Sequence, residues 1–373
     1  MKTLHYISET KENDLRTTHV RTLCEALSEH VQALIVTDKT LKTLGRDDRF
    51  DIVHIHSCWD INSTRLIAGM KEKGMAVVLS PHGDLDAFTM QHEQQITKQG
   101  KRLLYQQKAV EIADALIAMT KREKESLQQL GWNNNIDVVK ASILDSTMSH
   151  RQMAEETLAV YRKVIDTRYR LLMTDQEKQA ICCLLRTGIA RDDYQQTLTK
   201  EEHTLVTSLN DTQWQRIMLY ADDEGIRDII DLSTYKNDIE TPDINAAAIA
   251  RYPKKHKKDT QPLKRLLPKG KATTLLHDSS ATLQQLVAML IDAKKHIQKN
   301  TLTMKQLSEL YIAFRYGDYD EDEFAETSRK LSIYTFTSRM LSVLHSLLML
   351  GEGFMPMPPK SDSTTQNIMT KIL

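Results

Sequence analysis

Two short runs concentrate the side chains that could do chemistry. Asp51-Ile-Val-His-Ile-His-Ser-Cys-Trp59 brings an apolar stretch out into His54, His56, Cys58 and Trp59. Val77-Val-Leu-Ser-Pro-His-Gly83 does the same with His82 and Gly83, followed by Asp84 and Asp86. On a strand His54, His56 and Cys58 share one face, and H-x-H-x-C can ligate zinc. No fourth ligand of suitable spacing is visible, so these residues read as strand-end side chains and no metal is expected. His56 and Trp59 then line a cleft of sugar size. His82 projects from a tight loop, where it either bonds a sugar hydroxyl or phosphate or holds the loop through backbone carbonyls. Asp84 and Asp86 either accept from sugar hydroxyls or are simply solvated.

Other charged groups carry weaker signals. Lys98, Lys101 and Arg102 share a face at helical spacing, which is read first as a solvated face. Glu111 and Asp114 sit near the end of the same helix, where acid opposes the macrodipole and calls for a specific partner. From Arg251 to Lys271 nine Lys or Arg face one Asp. Lys254, Lys255, Lys257 and Lys258 at its centre are candidates for an anionic membrane surface or polyanion, against the plainer reading of a charged linker. Asp318-Tyr-Asp-Glu-Asp-Glu323 alternates acids like a calcium loop but has Glu323 where glycine is required and Arg329 where the closing glutamate belongs. Calcium is rejected in favour of a solvated acidic turn.

The elements that must position these groups alternate at short spacing over the first 145 residues. Strands are expected at Leu4–Ile7, Ala33–Val36, Ile52–His56, Ala76–Leu79, Ala115–Met119 and Ile136–Val139, with helices at Thr18–His30, Ser63–Lys73 and about Glu93–Ile112. Another helix opens at the Thr120-Lys-Arg-Glu123 capping box and closes at Gly131. This predicts α/β architecture, a parallel sheet with helices on both faces. From Ser149 onward the pattern is helical, with S/T-x-x-E/Q starts at Ser149, Thr174, Thr199 and Thr303. The expected domains are an α/β unit over 1–147, helical regions over 148–232 and 273–355, a basic proline-containing linker over 233–272, and a disordered tail over 356–373.

The 373 residues suffice for a sizeable core and favour two domains. Fifty basic and fifty acidic side chains cancel, so no global field points to nucleic acid, and no specific nucleic-acid partner is expected. Only Tyr252 offers a ring within the basic run, which is too little for a stacking platform. Cys24, Cys58, Cys182 and Cys183 form no metal or disulfide spacing. With no signal-peptide pattern and no long apolar run, a cytoplasmic protein is expected, with a peripheral contact to the inner face of the membrane left open.

With these residues laid out, the first 145 positions resemble the amino-terminal domain of family 4 glycosyltransferases, retaining enzymes of the two-domain GT-B type. The resemblance rests on the opening strand Lys2–Ile7, Asp51-Ile-Val-His-Ile-His56 with Trp59, Ser80-Pro-His-Gly83, and Glu111-Ile-Ala-Asp114 before Leu116-Ile-Ala-Met-Thr120 with Glu123. It implies a Rossmann-like domain that transfers a hexosyl group from a nucleotide sugar to a saccharide or glycolipid acceptor, as in surface polysaccharide synthesis, with no further cofactor. It also implies His56, Trp59, His82, Gly83 and Asp84 as substrate-side residues. Two departures stand out. The family's Gly-Gly turn after the first strand is replaced by Asn13-Asp-Leu-Arg-Thr-Thr-His19, with Arg16 as a substitute cationic contact. The family's second Rossmann domain, with its strand-end G-R and E-x7-E pair, has no counterpart beyond Leu184-Leu-Arg-Thr-Gly188. A mostly α-helical carboxyl-terminal region is expected instead. Two classes therefore stay open: the transferase, and a non-catalytic sugar- or nucleotide-binding protein whose helices dock a protein partner.

Overall fold

The computed structural model describes residues 1–45, 48–86, 100–191, 197–253 and 279–373, the side chains of residues 100–103 excepted. Two compact units emerge. The first is Met1–Leu171, joined by the short segment that begins at Ile249 and carries Tyr252. Its centre is a six-stranded sheet: β1 (Lys2–Tyr6), β2 (Gln32–Val36), β3 (Ile52–Ile55), β4 (Ala76–Leu79), β5 (Ala115–Ala118) and β6 (Ile136–Val138). The spatial order is β2-β1-β3-β4-β5-β6 and every pair is parallel.

Strands this apolar must be covered on both sides. Helices α2 (Ile61–Glu72), α3 (Gly100–Ile112) and α4 (Lys121–Leu130) cover one face, burying Leu66, Ile67, Val110 and Leu127 against Leu4, Val53, Val77 and Leu116. Helices α1 (Leu15–Leu27) and α5 (His150–Thr167) cover the other, burying Leu23, Leu27, Met153, Leu158 and Val164 against Ile52, Val78 and Ala115. Each such aliphatic side chain contributes about 1.5–3 kcal/mol on full burial.

The α/β architecture and all six strands match expectation, and three boundaries do not. First, α5 belongs to the sheet unit, not to a helical region beginning at 148, because its apolar stripe completes the second face. Second, the segment expected as linker from 233 opens as the end of the helix Arg227–Lys236. Further on it docks Tyr252, whose hydroxyl donates to Asp137 and whose ring lies under Lys163 Nζ. Third, the tail expected to be disordered forms the helix Ser363–Ile372, capped by Asp362 and held by the burial of Ile368 and Ile372. Lys98 and the Lys254–Lys258 group lie outside the described residues, as do the side chains of Lys101 and Arg102.

The second unit, by itself, is helical throughout among the described residues. Its caps were legible: Thr174, Thr199 and Thr303 each complete the reciprocal capping box expected of them. The acidic run 318–323 is the start of the helix Glu321–Lys330, with Glu321, Asp322 and Glu323 in the first turn where they favour the macrodipole. Leu184–Gly188, the nearest imitation of a donor-domain strand end, lies in the helix Asp175–Ile189. Gly188 is there because this helix crosses Arg227–Lys236 closely: a Cβ at Gly188 would stand 2.4 Å from the Ile229 carbonyl oxygen. Backbone cannot yield as a side chain can. Gly188→Ala is therefore expected to destabilise this unit by about 1–3 kcal/mol, read as a lower urea midpoint at unchanged slope. An unchanged midpoint would show that the crossing is looser than described.

Candidate functional site

In a parallel sheet ligands bind outside the carboxyl ends of the strands, where the strand order reverses. Here the chain goes from β1 to β2 on one side and returns to β3 on the other, so the reversal lies between β1 and β3. A cavity of about 370 Å³ opens at that point, lined by Ser8, Glu9, Lys11, Asp14 and Arg16 from the turn after β1 and the start of α1, with His19, His82, Met119 and Leu144.

The turn after β1 works without the expected glycines. Asn13 takes the left-handed conformation at φ 64°, which asparagine tolerates better than most residues. Asp14 then caps α1, accepting from Thr17 N at 2.7 Å and Thr17 Oγ1 at 2.9 Å. Those two bonds, the N–H foremost, hold its carboxyl below the usual aspartate range. Side-chain capping at Asp14 and the left-handed Asn13 replace glycine permissiveness here.

At the ends of β3 and β4 the backbone is again left-handed, at Trp59 (φ 59°), His82 (φ 54°) and Gly83 (φ 82°). For a bulky tryptophan this costs about 1–3 kcal/mol and must be enforced by its surroundings. Trp59 N donates to Gln106 Oε1 at 2.6 Å and its indole Nε1 to the Asp84 carbonyl at 2.8 Å. Gly83 N donates to Glu123 Oε1 at 2.8 Å, and Met119 N to Glu123 Oε2 at 2.7 Å. Glu123 thus fastens the β4 loop to the end of β5. Burial pushes its carboxyl up, against the pull of those two N–H groups.

Beneath the cavity five histidines from four places meet: His5 on β1, His19 on α1, His54 and His56 on or just past β3, and His82 after β4. His56 lies in the middle, with its Nε2 3.1 Å from His5 Nδ1 and its Nδ1 3.0 Å from His82 Nε2. His82 Nδ1 lies 3.1 Å from Met119 Sδ, which can only accept. That fixes the run in the neutral state. His82 carries its proton on Nδ1 and accepts on Nε2 from His56 Nδ1–H, and His56 Nε2 accepts from His5 Nδ1–H. His5 Nε2 is then a bare lone pair, buried and without a partner, and His19 Nδ1 is likewise buried and unpartnered. His54 is fully engaged, 2.7 Å from both the Tyr161 hydroxyl and Ser80 Oγ.

Burial lowers the basicity of all five rings, and neighbouring imidazoles lower that of all but His19 further. His5 falls to about 3 and His19 to about 4, while His54, His56 and His82 are pushed well below the ordinary value. The cluster is therefore neutral at neutral pH and offers lone pairs and N–H groups, not charge. Nitrogens of His5, His54 and His56 come within 4.8 Å of one another, as do those of His19, His56 and His82.

Two of the expected residues, Arg16 and His82, line the cavity. His56 is fully buried behind His82. Trp59, through its backbone N–H and its indole, and Gly83, through its backbone N–H, hold the loops by the bonds just given. Arg16 and Asp84 pair with each other, Arg16 NH2 lying 2.8 and 2.9 Å from the two carboxylate oxygens, 68 positions apart in sequence. Cys58 does not share the histidine face. The strand ends at Ile55, alternation lapses, and Cys58 packs into the opposite core with Leu4 and Leu66. His5, His19 and Glu123 join the site although no pattern in the sequence marks them as site residues. For His5 the only signal in the sequence is a titratable side chain inside a buried strand; its pairing in register with His54 emerges from the fold.

A doubly wound parallel sheet with its cavity at the switch point defines a Rossmann-like α/β domain. Residues 8–141, which carry the turn after β1 and the strands β2 to β6, match the family model described as "Glycosyl transferase 4-like domain", and the amino-terminal region is a domain of that type. No curated protein and no solved structure matches the chain. No described helix is long and apolar enough to cross a membrane.

Proposed function

We propose that the chain is a glycosyltransferase whose first unit receives a saccharide or glycolipid acceptor in the switch-point cavity and whose donor is a nucleotide sugar. The carrying observation is the cavity bordered by Arg16 and His82 in a domain of the glycosyl transferase 4-like type. Transfer breaks the bond from the anomeric carbon to the leaving phosphate oxygen and forms one to an acceptor hydroxyl oxygen. The hydroxyl proton leaves with the diphosphate. Catalysis of this kind is mostly orientation and electrostatic stabilisation. His82 Nδ1–H, held by the weak acceptor Met119 Sδ that also lines the cavity, is the candidate for donating to the acceptor hydroxyl in its place, and the Arg16–Asp84 pair for shaping the cavity wall. The nucleotide sugar is a substrate, so no separate cofactor is invoked. Surface polysaccharide or glycolipid synthesis at the cytoplasmic face of a membrane, with Lys254, Lys255, Lys257 and Lys258 meeting anionic lipid, belongs to the same proposal.

A second reading is favoured by the helical character of the second unit among the described residues. It is a non-catalytic protein that retains a sugar or nucleotide cleft and docks a protein partner through its helices. Thermal unfolding with a panel of nucleoside diphosphates and nucleotide sugars separates the two. One nucleotide at a hundred times its dissociation constant is expected to add about 2.7 kcal/mol of stability. Transfer or slow hydrolysis of the matching nucleotide sugar, weakened in His82→Asn, then supports the enzyme. Stabilisation with neither transfer nor hydrolysis supports the binder, and no stabilisation by any nucleotide sinks the transferase.

A further inference from the structure

We propose that His19, His56 and His82 form a three-histidine site for a divalent transition-metal ion, zinc by ligand preference, whose open coordination position faces the switch-point cavity. The site shares His82 and its cavity with the proposed acceptor site, but its test reads metal binding and not transfer, and it reverses the expectation, drawn from linear spacing alone, that the chain holds no metal.

The three ligands come from a helix, a strand end and a loop, and their nitrogens lie within 4.8 Å of one another. His56 Nδ1 and His82 Nε2 are 3.0 Å apart. Tetrahedral zinc with Zn–N bonds of about 2.0–2.1 Å sets neighbouring nitrogens about 3.3 Å apart, so His56 and His82 need part by only a few tenths of an ångström, and His19 closes on them by at most about 1.5 Å. His19 is 6% exposed and its Nδ1 has no hydrogen-bond partner, which costs about 1–3 kcal/mol and leaves no bond at that atom to be broken when the ring turns to an ion.

The outer nitrogens of both remaining ligands are already engaged, as metal-bound histidines require. His82 Nδ1 meets Met119 Sδ and His56 Nε2 meets His5 Nδ1. On binding, the His56 proton moves from Nδ1 to Nε2 and is donated to His5 Nδ1, whose own proton moves to Nε2. Three lone pairs then meet the cation with no net proton released. Cys58, remote in the other core, is not needed.

The alternative grouping of His5, His54 and His56 is disfavoured because both nitrogens of His54 are held by Tyr161 and Ser80. His19 and His82, by contrast, line the cavity through which an ion would reach the site. Water or an anionic oxygen donor within the cavity would complete the coordination. Three neutral histidines with an open fourth position match the ligand count of catalytic rather than structural zinc sites.

The test uses the full chain without an affinity tag, stripped with a chelator and titrated with Zn²⁺ against a chromophoric competitor and with Co²⁺ by visible absorption. One equivalent is expected to bind, with tetrahedral cobalt bands and no thiolate charge-transfer band. His19→Gln and His82→Asn should each weaken binding by at least the roughly 10- to 100-fold that loss of an outer partner costs. His150→Gln, at an exposed histidine, should change nothing. Circular dichroism identifies variants that remain folded, and either ligand variant suffices if the other does not. No stoichiometric binding, a thiolate band, binding unaffected in a folded ligand variant, or binding that survives both but is lost in His5→Gln would each overturn the site.

Discussion

Chelator-treated protein is expected to lose stability steeply as the pH falls below about 6.5, the ordinary histidine value. His5 and His19 titrate in the folded chain at about 3 and about 4, because burial disfavours their charged forms and, at His5, the His19 ring adds to the effect. His54, His56 and His82 are displaced in the same direction, with the Arg16 guanidinium adding to the effect at His82. Above 6.5 both folded and unfolded chains hold these rings neutral, so stability does not respond to them. Below 6.5 the unfolded chain takes up protons that the folded chain refuses, and stability falls. Each ring contributes about 1.4 kcal/mol per pH unit until the pH reaches its folded value. His5 and His19 alone then give about 2.7 kcal/mol per unit between pH 6 and 4. Glu123, raised by burial, acts in the opposite sense, but only as one group and only near the carboxylate range. Urea unfolding at pH 7.5, 6.5 and 5.5, followed by fluorescence of Trp59 and Trp132 in this unit, measures the slope. A flat profile would mean that the rings are not buried and neutral together. His19→Gln should reduce the slope by one proton.

The same cluster shows where reading the chain succeeds and where it stops. Apolar runs ending in small and polar residues located every strand end, because a strand buried on both faces has no other composition to choose. Alternation rightly put His54 and His56 on one face. It failed at Cys58, since a period of two holds only while the ladder continues. The meeting of His5 with His54 and His56 depends on register between strands some fifty positions apart, and no local pattern encodes it. Helix α1 begins at Leu15 and not at Thr18 because Asp14 caps it, a polar signal that outranks the apolar stripe. The helix Ser363–Ile372 was missed for the converse reason. Its apolar residues are few, and what fixes it is Asp362, which caps the helix while accepting from Arg339 Nε at 3.0–3.1 Å.

Asp114→Ala should destabilise the first unit by about 3–5 kcal/mol. Acid near the end of α3 opposes the helix dipole, and the structure supplies the partners that this mismatch called for. Asp114 Oδ1 lies 2.6 Å from Lys71 Nζ, and Oδ2 accepts from Val77 N at 2.8 Å and from Arg168 NH1 at 3.4 Å. The guanidinium is only 7% exposed. Without the carboxylate it keeps the Gly74 carbonyl at 2.9 Å, its Nε already lacks a partner, and a buried positive charge is left uncompensated. Val77 N, inside β4, loses its acceptor as well. Asp114→Asn separates the two contributions, because its amide oxygen can still accept from Val77 N. The Asn variant should therefore recover the hydrogen bond, about 1 kcal/mol, and not the charge. Lys71→Met should cost no more than about 1 kcal/mol, since that partner is better solvated. Urea midpoints for the three variants decide the matter, and Asp114→Ala lying within 1 kcal/mol of the parent would refute the account. Val77 begins the run that ends in Ser80, Pro81 and His82, so Asp114 anchors β4 at the end remote from the cavity. A variant that stays folded should accordingly lose stability without losing the ligand response of the cavity.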